Sequence, residues 1–345
     1  SPPLGGGAAN ACKFLLHELK RYNHLQIDLV TASIDKEYTE QISNLITIHY
    51  LNIYKNNQNA HFQSQTELLT YAYKAWLKSR QLSQKKKYNL CHAWFGIPAG
   101  FVAMHLHLPY LIALRGSDVP GYNPRFKILD QLIFKHLSRK IWIHAQKETA
   151  NSEGLKQLAN QTSPEQIIQV IPNGVDTKFF HPSKSSKKSL NFRIIGVGRL
   201  IERKGFTYLI EAIRSTKIKN IECLIVGEGP QYNDLFNLIN KSGLSNQVKL
   251  MGKKSHSELR SLYQLSDIYI STSLNEGMSN TILEAMASGL PIIATNTGGS
   301  KELIKSNGHI IPAEDSHALA QAIKLIIKNK SVRYAQAKES RKLAL

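Results

Sequence analysis

The sequence predicts two α/β domains in tandem, each built on a doubly wound, mostly parallel sheet. Three observations carry this. Short apolar runs of strand length alternate with stretches of helical periodicity along almost the whole chain, the pattern of parallel strands joined by crossover helices. The alternation pauses at the Ser- and Lys-rich segment His181–Ser189, which reads as a linker. Glycine turns such as Gly227-Glu228-Gly229 and Thr297-Gly298-Gly299 follow strand candidates, where a backbone must bend tightly or approach a ligand. A length of 345 residues also suits two domains better than one core.

Taken in order, Ala8–Tyr22 reads as a helix and Leu25–Ala32 as a short apolar strand. Leu45–Leu51 is the next strand, Thr66–Leu82 a long helix, Tyr88–Ala93 a strand and Ala99–Leu106 a helical stretch. Tyr110–Leu114 is a strand ending in Arg115-Gly116-Ser117-Asp118; Pro124 opens a helix to about residue 144, and Ile167–Ile171 is a further strand. Beyond the linker the pattern restarts with strand Arg193–Val197, helix Thr207–Ser215, strand Glu222–Val226, helix Tyr232–Lys241 and strand Val248–Met251. Helix Ser257–Leu265, strand Ile268–Ser271, helix Ser279–Ser288 and strand Pro291–Thr295 follow. The expected organisation is a first domain at 1–180, a linker at 181–190 within a hinge region near 172–190, and a second domain at 191–345. Open α/β sheets bind ligands beyond the carboxyl ends of their strands, so the site is expected there, in a cleft between the domains.

Composition narrows the classes. Hydrophobic content of 42% and charged content of 20% describe a globular chain, not a disordered or fibrous one. No stretch approaches the roughly 20 apolar residues of a membrane span. Cys12, Cys91 and Cys223 lie far apart, which argues against a disulfide framework or zinc site and fits a reducing, cytoplasmic setting. The net charge is +19, with 20 Lys and Arg against 12 Asp and Glu in residues 1–180, and 24 against 13 in 181–345. Local concentrations are Lys78, Arg80, Lys85, Lys86 and Lys87, beside Trp76 and Leu77, and Lys184, Lys187 and Lys188. An anionic membrane surface, an anionic substrate, nucleic acid or simply a soluble surface would each account for them. The chain opens on Ser1-Pro2-Pro3-Leu4-Gly5-Gly6-Gly7. A glycine loop feeding a helix normally follows a strand, so the chain reads as a fragment whose first strand lies upstream.

Chemistry concentrates at the strand ends of the second half. Gly198-Arg199-Leu200 and Lys204-Gly205 leave its first strand; glycines admit a ligand to the backbone, and the two cations would suit a pair of phosphates. Gly227-Glu228-Gly229-Pro230 follows the next strand. In the stretch Ser273–Gly289, Glu276 and Glu284 are separated by seven residues, so the first heads a helix and the second lies about two turns along it. Gly277, Met278 and Ser279 would present amides at that helix N-terminus, favourable to a phosphate or a sugar hydroxyl. Thr297-Gly298-Gly299 ends the following strand.

On these residues the second half resembles the C-terminal domain of the retaining GT-B glycosyltransferases called glycosyl transferases group 1. Their Glu-x7-Glu motif falls on Glu276 and Glu284, their GRL and KG elements on Gly198-Arg199-Leu200 and Lys204-Gly205, and their GxGP on Gly227–Pro230. Ile171-Pro172-Asn173-Gly174-Val175-Asp176 is similar to the family's hinge element. In the first half, Pro3–Gly7, Arg115–Asp118 and Ala150-Asn151-Ser152 resemble its glycine loop, its HGSD-like segment and its ANS strand end. The resemblance implies two Rossmann-like domains facing across a cleft, with the first strand and the closing C-terminal helix lacking. It implies that Arg199 and Lys204 neutralise a donor diphosphate in place of a metal, in keeping with the absence of a DxD sequence. Glu284 would bind ribose hydroxyls, Glu276 the transferred sugar, and Gly252 and Lys253 the base edge. Gly5, Gly6 and Gly7 would approach the diphosphate from the other domain, and Asp118 would serve the acceptor side. Many relatives carry a His where this chain has Arg115; His92 and His105 are possible substitutes.

The implied activity is a retaining, metal-independent transfer from a UDP- or GDP-sugar to a glycan or lipid-linked acceptor, in cell-surface polysaccharide or glycolipid synthesis. No other cofactor is implied. The expected place is the cytoplasm, with peripheral attachment to an anionic inner membrane face left open. A GT-B epimerase or phosphorylase is the competing enzyme, the latter disfavoured because no pyridoxal lysine motif is evident. A nucleic-acid binder would interleave cations with aromatics on one face or carry a reader motif, and the sequence shows neither.

Overall fold

The computed structural model describes residues 7–55, 64–123, 127–183 and 191–345, in two compact units that divide between Pro172 and Asn173. In the first unit the order is α1 (Gly7–Leu19), β1 (Ile27–Ser33), β2 (Tyr38–Ser43), β3 (Ile46–Asn52), α2 (Gln65–Lys85), β4 (Cys91–Trp94), α3 (Phe101–Met104) and β5 (Tyr110–Leu114). Then come α4 (Lys127–Leu129), α5 (Lys135–Ile143), β6 (Lys147–Ala150), α6 (Glu153–Asn160) and β7 (Ile168–Val170). Strands β4, β5, β6 and β7 pair in that order, all parallel. A second sheet has the order β1-β3-β2, with β1 parallel and β2 antiparallel to β3.

The hairpin strand β2 departs from the sequence reading for a physical reason. Tyr38–Ser43 is mostly exposed at a sheet edge, so no burial imposes an apolar alternation on it. By contrast α2 begins where a capping box predicts: Ser64 Oγ accepts from the Glu67 N–H, and the Glu67 carboxylate accepts from the Ser64 N–H at 2.8 Å. The main core of the unit places Tyr110, Ile112 and Leu114 of β5 against Ile141 and Trp142 of α5 and Leu155 of α6.

The second unit runs β8 (Phe192–Val197), α7 (Phe206–Thr216), β9 (Ile221–Val226), α8 (Tyr232–Lys241), β10 (Val248–Leu250), α9 (His256–Leu265) and β11 (Ile268–Ser271). It continues with α10 (Asn280–Ala287), β12 (Ile292–Thr295), α11 (Ser300–Leu303), β13 (Gly308–Ile311), α12 (Ser316–Lys328) and α13 (Lys330–Ala344). All six strands are parallel, in the order β10-β9-β8-β11-β12-β13. This is the Rossmann order, with its switch point between β8 and β11. Phe206, Leu209, Ile210 and Ile213 bury one stripe of α7, the spacing of an amphipathic helix. They join Leu319 and Ile323 of α12 over Ile194, Ile225 and Ile270. The alternate strand residues Ile195, Leu224 and Tyr269 face Tyr263 of α9 and Ile282 and Met286 of α10.

The division between the units falls at the start of the expected hinge region near 172–190. Residues 173–183, which the sequence pattern divides between the first domain and the linker, pack on the second unit. Phe180 is buried with Tyr263 and Tyr269, and Arg341 of α13 donates to the carbonyls of Thr177 and Phe180 at 3.1 and 3.0 Å.

Candidate active site

The switch point leaves a crevice outside the carboxyl ends of β8 and β11, and the loops that leave these strands meet there. Leu274 N–H donates to the Arg203 carbonyl at 2.8 Å, and Thr272 Oγ1 to the Lys204 carbonyl at 2.9 Å. These contacts bring the Lys204 ammonium onto the Glu276 carboxylate in an ion pair, with Ser273 Oγ donating to the same carboxylate at 3.3 Å. Burial pushes the Glu276 carboxyl up, but the Lys204 charge and hydrogen bond, aided by Arg203 and Ser273, outweigh it and hold it below the ordinary range. Glu276 is therefore an ionised acceptor.

Gly277, Met278 and Ser279 lead into α10, whose N-terminus has no side-chain cap, an arrangement hospitable to an anion or a hydroxyl. Ser279 Oγ instead shares a hydrogen bond with Thr281 Oγ1 at 3.0 Å. Further along α10, Glu284 accepts from Tyr263 Oη at 3.0 Å. Burial pushes its carboxyl up to about 7, and the Tyr263 hydrogen bond only moderates the rise. The environments of the two glutamates of one motif thus push their carboxyls in opposite directions from the ordinary range.

The glycine turns tie the loops side by side. Gly198 N–H donates to the Val226 carbonyl at 3.0 Å, and Gly227 N–H to the Gly252 carbonyl at 2.9 Å. Gly227 has φ +147°, and a Cβ there would fall 1.8 Å from the Gly198 carbonyl oxygen, so only glycine fits. Gly299 approaches the Glu276 loop as closely, since its Cβ would lie 1.7 Å from the Gly277 carbonyl oxygen. Gly298 beside it is exposed, Arg199 is half-buried next to Gly198, and the exposed Lys253 lies 3.5 Å from Glu228. The structure therefore gathers Gly198, Arg199, Lys204, Gly227, Gly252, Lys253, Glu276 to Ser279, Gly298 and Gly299 at one end of one sheet, with Glu284 inside α10. Among the described residues, no three His, Cys, Asp or Glu side chains are grouped as a metal ion would require.

In the first unit the placement differs from expectation. Asp118 is buried, and backbone amides take up both its oxygens: Gly96 N–H at 2.7 Å, Gly116 N–H at 2.9 Å and Arg115 N–H at 3.0 Å. It anchors the β5 loop to the segment after β4 and does not face outward as an acceptor group would. The Arg115 guanidinium lies over the Trp94 ring at 4.7 Å. His92 packs edge-on to Trp94, and burial and the Arg115 charge push its pKa down; His105 Nδ1 donates to the Phe101 carbonyl at 2.8 Å. Gly7 opens α1, and Gly5 and Gly6 lie outside the described residues.

Two residues gain roles that the sequence pattern does not announce. The Asn173 side chain donates to Asn280 Oδ1 at 2.8 Å and to the Met278 carbonyl at 3.3 Å, pinning the loop that carries Glu276. Tyr263 sets the position of Glu284. Asn173 was visible inside the hinge element, whereas Tyr263 looks like any residue on the buried side of an amphipathic helix.

The model of Glycosyltransferase Family 4 matches residues 5–179, and that of Glycosyl transferases group 1 matches residues 177–343. The Bacillus subtilis glycosyltransferase TuaC, assigned to teichuronic acid biosynthesis, is 28% identical over 260 residues, which cover 71% of this chain and 63% of TuaC. Sucrose-phosphate synthase of Thermosynechococcus elongatus superposes with a TM-score of 0.85 at 21% identity, over 99% of this chain and 88% of that one. Anabaena HepE, solved with UDP and glucose, does so with a TM-score of 0.75 at 21% identity, over 98% and 91%. At such identity these two structural likenesses speak for the fold.

Proposed function

The chain belongs to the glycosyltransferases of Family 4 and group 1, enzymes of the GT-B fold, and from that premise we propose that it is a retaining, metal-independent transferase. It moves a sugar from a UDP- or GDP-sugar to a glycan or lipid-linked acceptor, in surface polysaccharide or glycolipid synthesis. The observation that carries the donor assignment is the Lys204–Glu276 pair, held where the β8 and β11 loops meet. The UDP and glucose bound by HepE and the biosynthesis to which TuaC is assigned support the substrate classes.

Each role follows from the chemistry of the group. A donor diphosphate competes with Glu276 for the Lys204 ammonium, and Arg199 adds a second cation. Its arrival frees the ionised Glu276 to accept from hydroxyls of the transferred sugar. The Gly277 to Ser279 amides and the Gly298-Gly299 turn border that sugar, Glu284 accepts from the ribose, and the Gly252-Lys253 backbone meets the base. As the glycosidic bond to the diphosphate breaks, negative charge grows on the leaving phosphate, and Arg199 and Lys204 stabilise it without reorganising. The acceptor hydroxyl enters from the same face and passes its proton to the departing phosphate oxygen as its own oxygen bonds the anomeric carbon, so the anomeric configuration is kept. Asp118 acts by positioning the β5 loop.

The test is the anomeric configuration of the product, read by proton NMR with EDTA present throughout. Retention at an undiminished rate is expected. An inverted product, or activity lost to EDTA and restored by magnesium, would contradict the reading.

A further inference from the structure

We propose that a cleft at the free edge of the β1-β3-β2 sheet binds a single sugar unit of a glycan, as a site separate from the donor loops. Glu37, Thr39, His49, Leu51 and Lys78 line it, between edge strand β2, its neighbour β3 and helix α2. Its volume is about 220 Å³, below the roughly 300 Å³ at which pockets for drug-sized ligands begin. One sugar ring fits that space, and a nucleotide sugar does not.

Strand pleating decides which side chains face the cleft. Thr39 and His49 are direct partners across β2 and β3, so they share a face, and Leu51 two positions along β3 shares it too. Helix α2 covers that face, with Leu51 packed among Ala75 and Trp76. Lys78 follows Ala75 by three residues and so lies over the same face. Tyr38 stacked on Tyr50 at 4.3 Å braces the outer strand. His49 is held by the buried side chain of Asp28, whose Oδ1 lies 2.8 Å from Nε2. Lys86 and Tyr88 donate to Asp28 Oδ2 at 2.9 and 2.8 Å. Burial pushes the Asp28 carboxyl up, but the hydrogen bonds from His49, Lys86 and Tyr88 outweigh it and hold it below the ordinary range. An ionised Asp28 only accepts, so His49 Nε2 carries a hydrogen and Nδ1 is left toward Thr39 Oγ1. That contact is long, 3.3 Å, and a ligand hydroxyl can take its place.

The ligand class follows from two charges that do not meet. The Lys78 ammonium and the Glu37 carboxylate line the same cleft, yet among the described residues neither has a hydrogen-bond or ion-pair partner. An anion would be drawn to one and repelled by the other, and a cation the reverse. Sugar hydroxyls both donate and accept, so they satisfy Glu37, Lys78, Thr39 and His49 together, with Leu51 as an apolar floor under the ring. The β5 loop that carries Asp118 belongs to the unit's other sheet, so the cleft is a hold on a glycan away from that loop.

Binding is read without donor, so its failure would leave the proposed transfer untouched. Methyl α-glucoside, methyl α-galactoside and methyl N-acetyl-α-glucosaminide are each added to the full chain and followed by saturation-transfer NMR. Saturable binding of at least one is expected. Lys78→Ala and Glu37→Ala should each weaken it roughly tenfold or more, as when a hydrogen bond to a charged group is lost. Lys204→Ala in the donor loops should leave it unchanged, and inorganic phosphate should not compete. An unchanged thermal midpoint shows that each variant folds; Glu37 is exposed, and its variant decides alone if Lys78→Ala does not fold. Absence of binding for all three sugars, binding indifferent to the Glu37 and Lys78 changes, loss with Lys204→Ala, or displacement by phosphate would overturn the assignment.

Discussion

Glu276 and Glu284 share a motif, yet their neighbours drive them apart: an ammonium holds one ionised, and a tyrosine hydroxyl in a buried setting leaves the other near 7. Glu276→Gln should therefore depress turnover, since its contacts reach the reacting sugar. Glu284→Gln should mainly raise KM, since ribose contacts persist from ground state to transition state. The carboxylate is the form of Glu284 that accepts from ribose, so kcat/KM should fall as pH drops through about 7 and lose that limb in Glu284→Gln. Equal kinetic effects of both variants, or an unaltered limb, would show the roles to be divided wrongly. Glu148 of β6 poses a stability question. Neither of its buried oxygens has a hydrogen-bond partner, and burial raises its carboxyl from 4.5 to about 7. The folded chain keeps a proton that the unfolded chain releases, so stability is intact below 4.5 and is lost as pH climbs to about 7. Glu284 acts in the same direction. Glu148→Gln should shrink the drop in thermal midpoint between about pH 5 and pH 8 by roughly 2–4 °C; an unchanged drop would mean that the buried carboxyl is compensated.

At the level of elements, the glycine turns decide whether the loops can assemble. A Cβ on Gly299 would strike the Gly277 backbone, while one on Gly252 would meet nothing within 4 Å and face only the strain of φ +66°. Gly299→Ala should accordingly cost several kcal/mol in urea unfolding, and Gly252→Ala about 1–2 kcal/mol. Equal losses would mean that the Gly299 loop does not pack as described. The same contrast explains what the sequence could convey. Tyr110–Leu114, Tyr232–Lys241 and Ile268–Ser271 are legible to the residue, because burial writes an apolar run or stripe and a Gly, Asp or Ser ends it. The site loops are legible because glycines, cations and a glutamate stand where strands finish. Edge strand β2 is not, since solvent imposes no pattern on it. Asp118 shows how far such reading reaches: an aspartate after a strand is visible, but whether its oxygens face a ligand or their own loop depends on Gly96, far off in the chain. The Tyr263–Glu284 and Asn173–Asn280 bonds escape for the same reason.

Across the whole molecule the charge of +19 is spread over both units, and the proposed reaction makes use of it for a diphosphate. That reaction is the central claim. The measurement that tests it most directly is turnover of a panel of UDP-, GDP- and ADP-sugars by the full chain in EDTA, beside Arg199→Ala and Lys204→Ala. The account predicts that a nucleotide sugar is consumed and that each variant loses on the order of 2–4 kcal/mol of transition-state stabilisation, as when a preorganised donor to a developing anion is removed. A panel left intact by the wild type, or wild-type turnover in Arg199→Ala, would contradict it.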